Sequence, residues 1–127
     1  WRFITRRALE LLLDETLAEH GGRPVLRDEG LLESALARPL QLLADGEPDL
    51  AALAAAYGFG LVRNHCFVDG NKRAAILATG LFLALNGQRL VTTQADATLT
   101  MLALAAGDLS EDAFAQWLRD HLQPCQP

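Results

Sequence analysis

Residues 49–87 read DLAALAAAYGFGLVRNHCFVDGNKRAAILATGLFLALNG, and this stretch determines the fold that we predict for the whole chain. Its first part, from about Asp49 to Asn64, is crowded with alanine and glycine, which predicts a helix that other helices can approach closely. Its last part, from about Asn71 to just before Gly87, carries apolar side chains all around a helix. Such a helix belongs at the centre of a protein, because it has no polar face to turn toward water.

Two helices are predicted before this stretch. Thr5 can cap a first helix that runs to about His20, with Gly21-Gly22 as its stop. Asp28 favours the start of a second helix, because a carboxylate can accept hydrogen bonds from the first backbone N–H groups. Pro39 is expected to end that helix, since proline lacks the N–H group that continues the hydrogen-bond ladder.

Two more helices are predicted after it. A short extended piece over residues 89–92 leads to a helix from about Gln94 to Ala106, which Gly107 stops. Ser110 can cap the last helix. The sequence therefore predicts an all-α fold, a compact bundle of about six helices around a central hydrophobic helix, forming one domain over residues 1–127.

Composition excludes several classes of protein. The net charge of −5 argues against direct nucleic acid binding, which needs many cationic contacts with the backbone. The longest uncharged run, residues 74–88, is shorter than the roughly 20 apolar residues of a membrane span. Cys66 and Cys125 form no metal-binding or disulfide pattern, so a cytoplasmic location is expected.

A chemically rich segment joins the third and fourth helices. The start of the fourth helix offers unpaired backbone N–H groups, and Gly70 lets an anion approach them closely. Lys72 and Arg73 lie in the first helical turn, where cations oppose the helix dipole unless a bound anion offsets them. Asn71 can donate an amide hydrogen bond to a phosphate oxygen. These four residues predict a phosphate-binding site.

Three further side chains complete the predicted site. His65 has an imidazole that can take a proton from an attacking hydroxyl group as a general base. Asp69 is a hard oxygen ligand suited to magnesium. Arg63 could contact substrate or nucleotide, or it could simply favour the negative end of its helix. Each residue alone is more typical of a structural role, and the site is predicted from their combination.

The neighbours of His65 have predicted roles in support of the loop. Phe67 is expected to drop into the core and anchor the loop, so that His65 faces outward. Cys66 is expected to pack, although a thiol beside the base could also be sensitive to oxidation.

The segment His65-Cys66-Phe67-Val68-Asp69-Gly70-Asn71-Lys72-Arg73 resembles the signature of the Fic/Doc family, His-Pro-Phe-x-Asp/Glu-Gly-Asn-Gly-Arg-x-x-Arg. Lys72 stands where that signature has its second glycine, and Ile76 stands where it has its second arginine. The death-on-curing (Doc) toxins share the Asn-Lys-Arg form, so the resemblance points to that branch.

The resemblance implies roles for individual residues and for the chain. His65 would be the base, Asp69 the metal ligand, and the segment from Gly70 to Arg73 the phosphate-binding group. The chain would be a toxin that uses ATP and Mg²⁺ to phosphorylate a protein hydroxyl, with elongation factor Tu as the target. Its partner would be a Phd-like antitoxin.

Two other functions remain open at the level of sequence. The same loop could transfer AMP instead of phosphate, and Lys72 and Ile76 favour phosphate. The chain could also be a non-catalytic helical module that binds a partner, and the intact loop from His65 to Arg73 argues against that.

Overall fold

The computed structural model of the protein describes residues 1–16 and 24–125. Helices dominate these ranges, as the sequence rich in leucine and alanine predicts. The elements in chain order are α1 (Arg6–Thr16), α2 (Glu29–Asp45), α3 (Leu50–Asn64), α4 (Asn71–Leu85), β1 (Gln88–Leu90), α5 (Gln94–Ala106), α6 (Glu111–His121) and β2 (Leu122–Pro124). The predicted all-α fold with six helices is thus confirmed for the described residues.

Most of the helices begin at a polar side chain that accepts a hydrogen bond from a backbone N–H group three residues later. This contact replaces one of the partners that the first turn of a helix lacks. The capping residues of α1, α2, α3, α5 and α6 are Thr5, Asp28, Asp49, Thr93 and Ser110. Helix α4 differs, because it follows Gly70 and no side chain caps it.

Two predicted helix ends have different outcomes. Pro39 does not end the second helix, because α2 continues through it to Asp45. Pro39 is buried, and it has no N–H group to donate to the carbonyl oxygen of Ala35. That carbonyl oxygen faces α3, because a Cβ built on Gly60 of α3 would lie 3.4 Å from it. Helix α2 packs against α3 along this part of its length, and this packing favours a helix that continues through the proline. The predicted end of the first helix, near His20, lies outside the described residues.

The central helix is α3, whereas the sequence pointed to the fourth helix. Helix α3 packs against α2, α4, α5 and α6. Its small residues allow this close approach, as expected: a Cβ on Gly58 would lie 2.7 Å from Thr79 Oγ1 and 2.8 Å from Phe114 Cε2. Helix α4 is buried along one face, but Ile76 and Leu77 on its other side are only partly buried.

The extended piece after α4 forms the first strand of a small antiparallel sheet. Strand β1 pairs with β2, and Arg89 lies opposite Gln123. The backbone N–H of Cys125 then donates to the carbonyl oxygen of Gly87 at 2.9 Å. This contact ties the segment that follows β2 to the turn that follows α4. Within residues 1–16 and 24–125, no helix has the length and apolar character needed to cross a bilayer.

Candidate active site

The candidate site is the loop that joins α3 to α4, and a left-handed residue lies at each end of it. His65 ends α3 with φ 52° and ψ 53°, and it has the one positive φ angle among the described residues other than glycine. Gly70 precedes α4 with φ 82°. The left-handed region is unfavourable for a residue with a Cβ. His65 adopts it at an exposed position, so the surrounding loop must stabilise it.

Asn71 fixes the inner side of the loop. Its Oδ1 accepts a hydrogen bond from the backbone N–H of Phe67, and its Nδ2 donates to the carbonyl oxygen of Phe67, both at 2.9 Å. Asn71 is buried, and so are Phe67 and Cys66. The prediction that Phe67 anchors the loop in the core is therefore confirmed. Asn71 has a structural contact that the sequence did not indicate, because its amide was expected to bind phosphate.

The segment just before α2 fixes the outer side of the loop. The backbone N–H of Val68 donates to the carbonyl oxygen of Val25 at 2.9 Å, and that of Arg27 donates to Cys66 at 2.8 Å. Leu26 and Phe67 form an antiparallel bridge between these two hydrogen bonds. The loop is thus held on both sides, by the start of α4 and by residues about 40 positions earlier.

The start of α4 has the features of an anion site. It has no capping side chain and no acidic residue in its first turn, and the side chains of Lys72 and Arg73 are exposed there. A Cβ on Gly70 would lie 3.1 Å from Cγ of Pro24, so a side chain there would be tightly packed as well as disfavoured by the backbone angle. Backbone N–H groups, a positive dipole end and two cations therefore converge at one place.

Asp69 is placed where it could serve a metal ion at that helix start. Its side chain is exposed, and its Oδ1 accepts from the backbone N–H of Gly70 at 2.8 Å. Over the described ranges, no three His, Cys, Asp or Glu side chains cluster as a metal site. A single carboxylate nevertheless fits magnesium, which commonly binds one or two carboxylates together with substrate phosphates and water.

Arg63 points along α3 rather than into the loop. Its guanidinium lies 5.7 Å from the ring centre of Phe59, and its Nη1 is 3.4 Å from the position of a Cβ on Gly107, at the end of α5. The predicted contact of Arg63 with substrate stays a prediction. Arg38 lies over the same Phe59 ring, at 5.0 Å.

Cys66 packs in the protein interior, as the sequence analysis favoured. Its side chain is fully buried, and this burial raises the pKa of the Cys66 thiol above its ordinary value. A thiol held in its protonated form is a poor nucleophile and oxidises slowly. Cys66 is thus part of the anchor beneath His65.

Two contributors to the site were missed by sequence analysis. The Arg27 side chain donates to the carbonyl oxygens of His65 and Asn64, and the Asn64 side chain donates to the carbonyl oxygen of Leu31 in α2. These contacts join the end of α3 to the start of α2. The cap predicted at Asp28 was the nearest signal, because it placed a helix start beside Arg27.

Known proteins that are similar to this chain indicate its family. The family model described as Fic/DOC family matches residues 3–83. The chain is 34% identical over 119 residues to the protein kinase doc of Escherichia phage P1, which covers 93% of this chain and 94% of that protein. It is 47% identical over 72 residues to toxin Doc of Mycolicibacterium smegmatis, which covers 55% of each chain.

A solved structure shows the same fold. BepC, a VirB-translocated effector protein of Bartonella tribocorum with bound AMPPNP, superposes with a TM-score of 0.51 at 18% sequence identity. The match covers 83% of this chain and 59% of that one. The family model and the phage P1 relative together cover the loop and the helices that hold it. This chain therefore belongs to the Fic/Doc family.

Proposed function

We propose that this chain is the toxin of a toxin–antitoxin pair and transfers the γ-phosphate of ATP to a hydroxyl group of a protein. One observation carries the proposal: the uncapped start of α4 presents Lys72 and Arg73 to solvent, and the loop that leads to it carries an exposed His65. The names of the phage P1 and M. smegmatis relatives support a kinase and toxin activity. The exposure of these polar side chains weighs against a non-catalytic binding module.

The nucleotide would bind with its terminal phosphate over the start of α4. The backbone N–H groups after Gly70 would hold its oxygens, while Lys72 and Arg73 would offset its charge. Magnesium, held by Asp69, would neutralise charge that develops on the phosphates. The AMPPNP bound to BepC, an ATP analogue, supports a nucleotide as the ligand of this fold.

The transfer step needs one base, which His65 would supply. A neutral imidazole nitrogen of His65 takes the proton of the target hydroxyl group. The hydroxyl oxygen then forms a bond to the γ-phosphorus, and the bond from that phosphorus to the bridging oxygen breaks. The electron pair leaves with ADP. The backbone N–H groups and cations of α4 stabilise the charge on the transferred group.

Two residues favour phosphate transfer over AMP transfer. Lys72 occupies the place of a motif glycine and brings a charge and bulk to the helix start. Ile76 occupies the place of a motif arginine. Its side chain is apolar and packs partly buried against the core, and so it offers no charge to a polyphosphate. A nucleotide turned end for end would then place its terminal phosphate, rather than its α-phosphate, beside His65.

Labelled ATP distinguishes the two reactions. The protein is incubated with Mg²⁺, elongation factor Tu as the candidate target, and ATP labelled at the α or the γ position. We expect label in the target only from the γ position, and a mass increase equal to one phosphate. The His65→Asn variant should transfer neither label. Incorporation of the α label, with the mass of an added AMP, would make the chain an adenylyltransferase.

A Phd-like antitoxin is the proposed partner, and an apolar cavity supports it. The cavity has a volume of about 340 Å³ and lies between α1, the start of α2 and the candidate loop. Among its lining residues, Val25 is 71% exposed while Leu9 and Leu13 are buried. An apolar helix of the antitoxin could occupy such a groove beside the active loop.

Two matched variants test this partner. Val25→Asp places a charge in the cavity, and Leu99→Asp places one on the exposed face of α5, where Leu99 is 63% exposed. We expect Val25→Asp alone to abolish copurification with the antitoxin encoded beside the toxin gene. If Leu99→Asp loses the antitoxin while Val25→Asp still binds it, the antitoxin binds α5 and not the cavity. Truncation of the antitoxin's C-terminal segment should also abolish binding.

A further inference from the structure

We infer that Arg27 is a positioning residue that holds His65 in the backbone conformation required of the base. The inference rests on the proposed function, in which His65 accepts the proton. Arg27 lies outside the signature segment, just before α2. Its side chain nevertheless contacts the backbone of His65 directly.

The Arg27 guanidinium spans the end of α3. Its Nε donates to the carbonyl oxygen of His65 at 2.7 Å, and its Nη2 donates to that of Asn64 at 3.2 Å. The backbone N–H of Arg27 donates to the next carbonyl oxygen, that of Cys66, at 2.8 Å. Three consecutive carbonyl groups at the end of the helix are therefore bound by one residue.

These carbonyl groups need an outside partner. The last carbonyls of a helix have no N–H group within the helix, and a cation is favoured at this negative end of the dipole. The contact also fixes the peptide that follows His65, and so it opposes relaxation of its left-handed φ angle of 52°. Loss of the guanidinium would free this backbone to move toward a conformation that L-residues prefer.

The ring of His65 depends on this backbone. In residues 1–16 and 24–125, no side chain or backbone group forms a hydrogen bond with the imidazole. Catalytic histidines often have a second group that orients the ring. Here the direction of the side chain is set by the backbone from which it projects, and Arg27 fixes that backbone. Its effect should therefore fall on the transfer step.

The competing role for Arg27 is direct binding of phosphate. Two of its three guanidinium nitrogens already bind carbonyl oxygens, which argues against that role. The variant Arg27→Lys separates the two explanations, because lysine keeps the charge but cannot span two carbonyls with a planar fork. A phosphate ligand would tolerate lysine, whereas a positioning residue would not.

Kinetics provide the first test. In Arg27→Ala and Arg27→Lys, we expect kcat to fall by about 10²-fold, and the KM for ATP to change by about twofold or less. The control Arg89→Ala alters an exposed arginine in β1 and should leave both values unchanged. In the His65→Asn background, adding Arg27→Ala should cause no further loss. A raised KM for ATP, or full activity in Arg27→Lys, would overturn the inference.

A second test does not depend on activity. The Cα and Cβ chemical shifts of isotope-labelled histidine report backbone conformation, and the His65 signals are identified by their loss in His65→Asn. We expect them to show a left-handed residue in the wild type and in Arg89→Ala, and to move in Arg27→Ala and Arg27→Lys. Unchanged His65 shifts in both Arg27 variants would refute the positioning role. If those shifts move while the wild type transfers no phosphate, the proposed function fails and the positioning role stands.

Discussion

Asn71 shows how one buried side chain determines the shape of a loop. Its amide is the partner of both backbone groups of Phe67. In Asn71→Ala these buried groups would lose their partner, at a cost of about 1–3 kcal/mol. We expect a lower urea midpoint for Asn71→Ala, with Lys72→Ala as an exposed control that does not lower the midpoint. If Asn71→Ala is fully stable but cannot bind ATP, the amide is a phosphate ligand, as the sequence suggested.

His65 should be essential for transfer and dispensable for folding. Asparagine is the best replacement, because it tolerates the left-handed conformation but supplies no base. We expect His65→Asn to lower the rate of transfer by about 10²–10⁴-fold, the usual contribution of a general base. Its melting temperature should remain that of the wild type. Growth arrest by the folded variant, equal to that by the wild type, would remove His65 from the mechanism.

The residue types of the loop are specific enough to predict a chemistry, whereas the geometry of the loop could not be predicted from the sequence. The signature segment from His65 to Arg73 predicts a base, a metal ligand and an anion site, and these roles stay predictions. It did not indicate that Asn71 would bind Phe67, or that Arg27 would bind the end of α3. Both contacts depend on how segments of the chain pack in three dimensions, and the spacing of residues in the sequence does not show this packing.

At the scale of helices, two glycines differ in the space around them. A Cβ on Gly58 in α3 would lie 2.7 Å from Thr79 Oγ1, whereas a Cβ on Gly80 in α4 would meet nothing within 4 Å. We therefore expect Gly58→Ala to lower the free energy of unfolding by about 1–3 kcal/mol. Gly80→Ala should raise it by about 0.5–1 kcal/mol, because alanine favours a helix. Urea denaturation of both variants checks this contrast. Equal effects would mean that contact between helices does not select Gly58.

Helix starts were predicted better than the packing of helices. Thr5, Asp28 and Ser110 cap helices as expected, because an N-cap is a local interaction between residues three apart. Pro39 was expected to end α2, but the helix continues through it. The centre was assigned to the fourth helix, whereas α3 occupies it. Both errors arose because the local sequence pattern does not show which helix surfaces pack against each other.

At the scale of the whole molecule, an ion pair joins distant parts of the bundle. Asp49 caps α3 and also binds Arg119 of α6, with Arg119 Nε 2.6 Å from Asp49 Oδ2 and Nη2 2.9 Å from Oδ1. The hydrogen bonds from Arg119 lower the pKa of the Asp49 carboxyl group, and they raise the pKa of Arg119. One carboxylate thus supports both a helix start and the contact between two helices.

The lowered pKa of Asp49 makes the free energy of unfolding depend on pH in the acidic range. The unfolded chain binds a proton to Asp49 more readily than the folded chain does, so stability rises with pH in this range. The contribution is complete above the ordinary Asp pKa of 3.8 and is lost as pH falls toward the lower folded value.

We expect Asp49→Asn, which keeps the helix cap, to reduce the loss of stability between about pH 5 and pH 3 in urea denaturation. Asp45→Asn changes an exposed carboxylate that has no ion pair in the described part of the chain, and it serves as the control. If the slope is the same in Asp49→Asn and in the wild type, the pair with Arg119 does not couple protonation to folding.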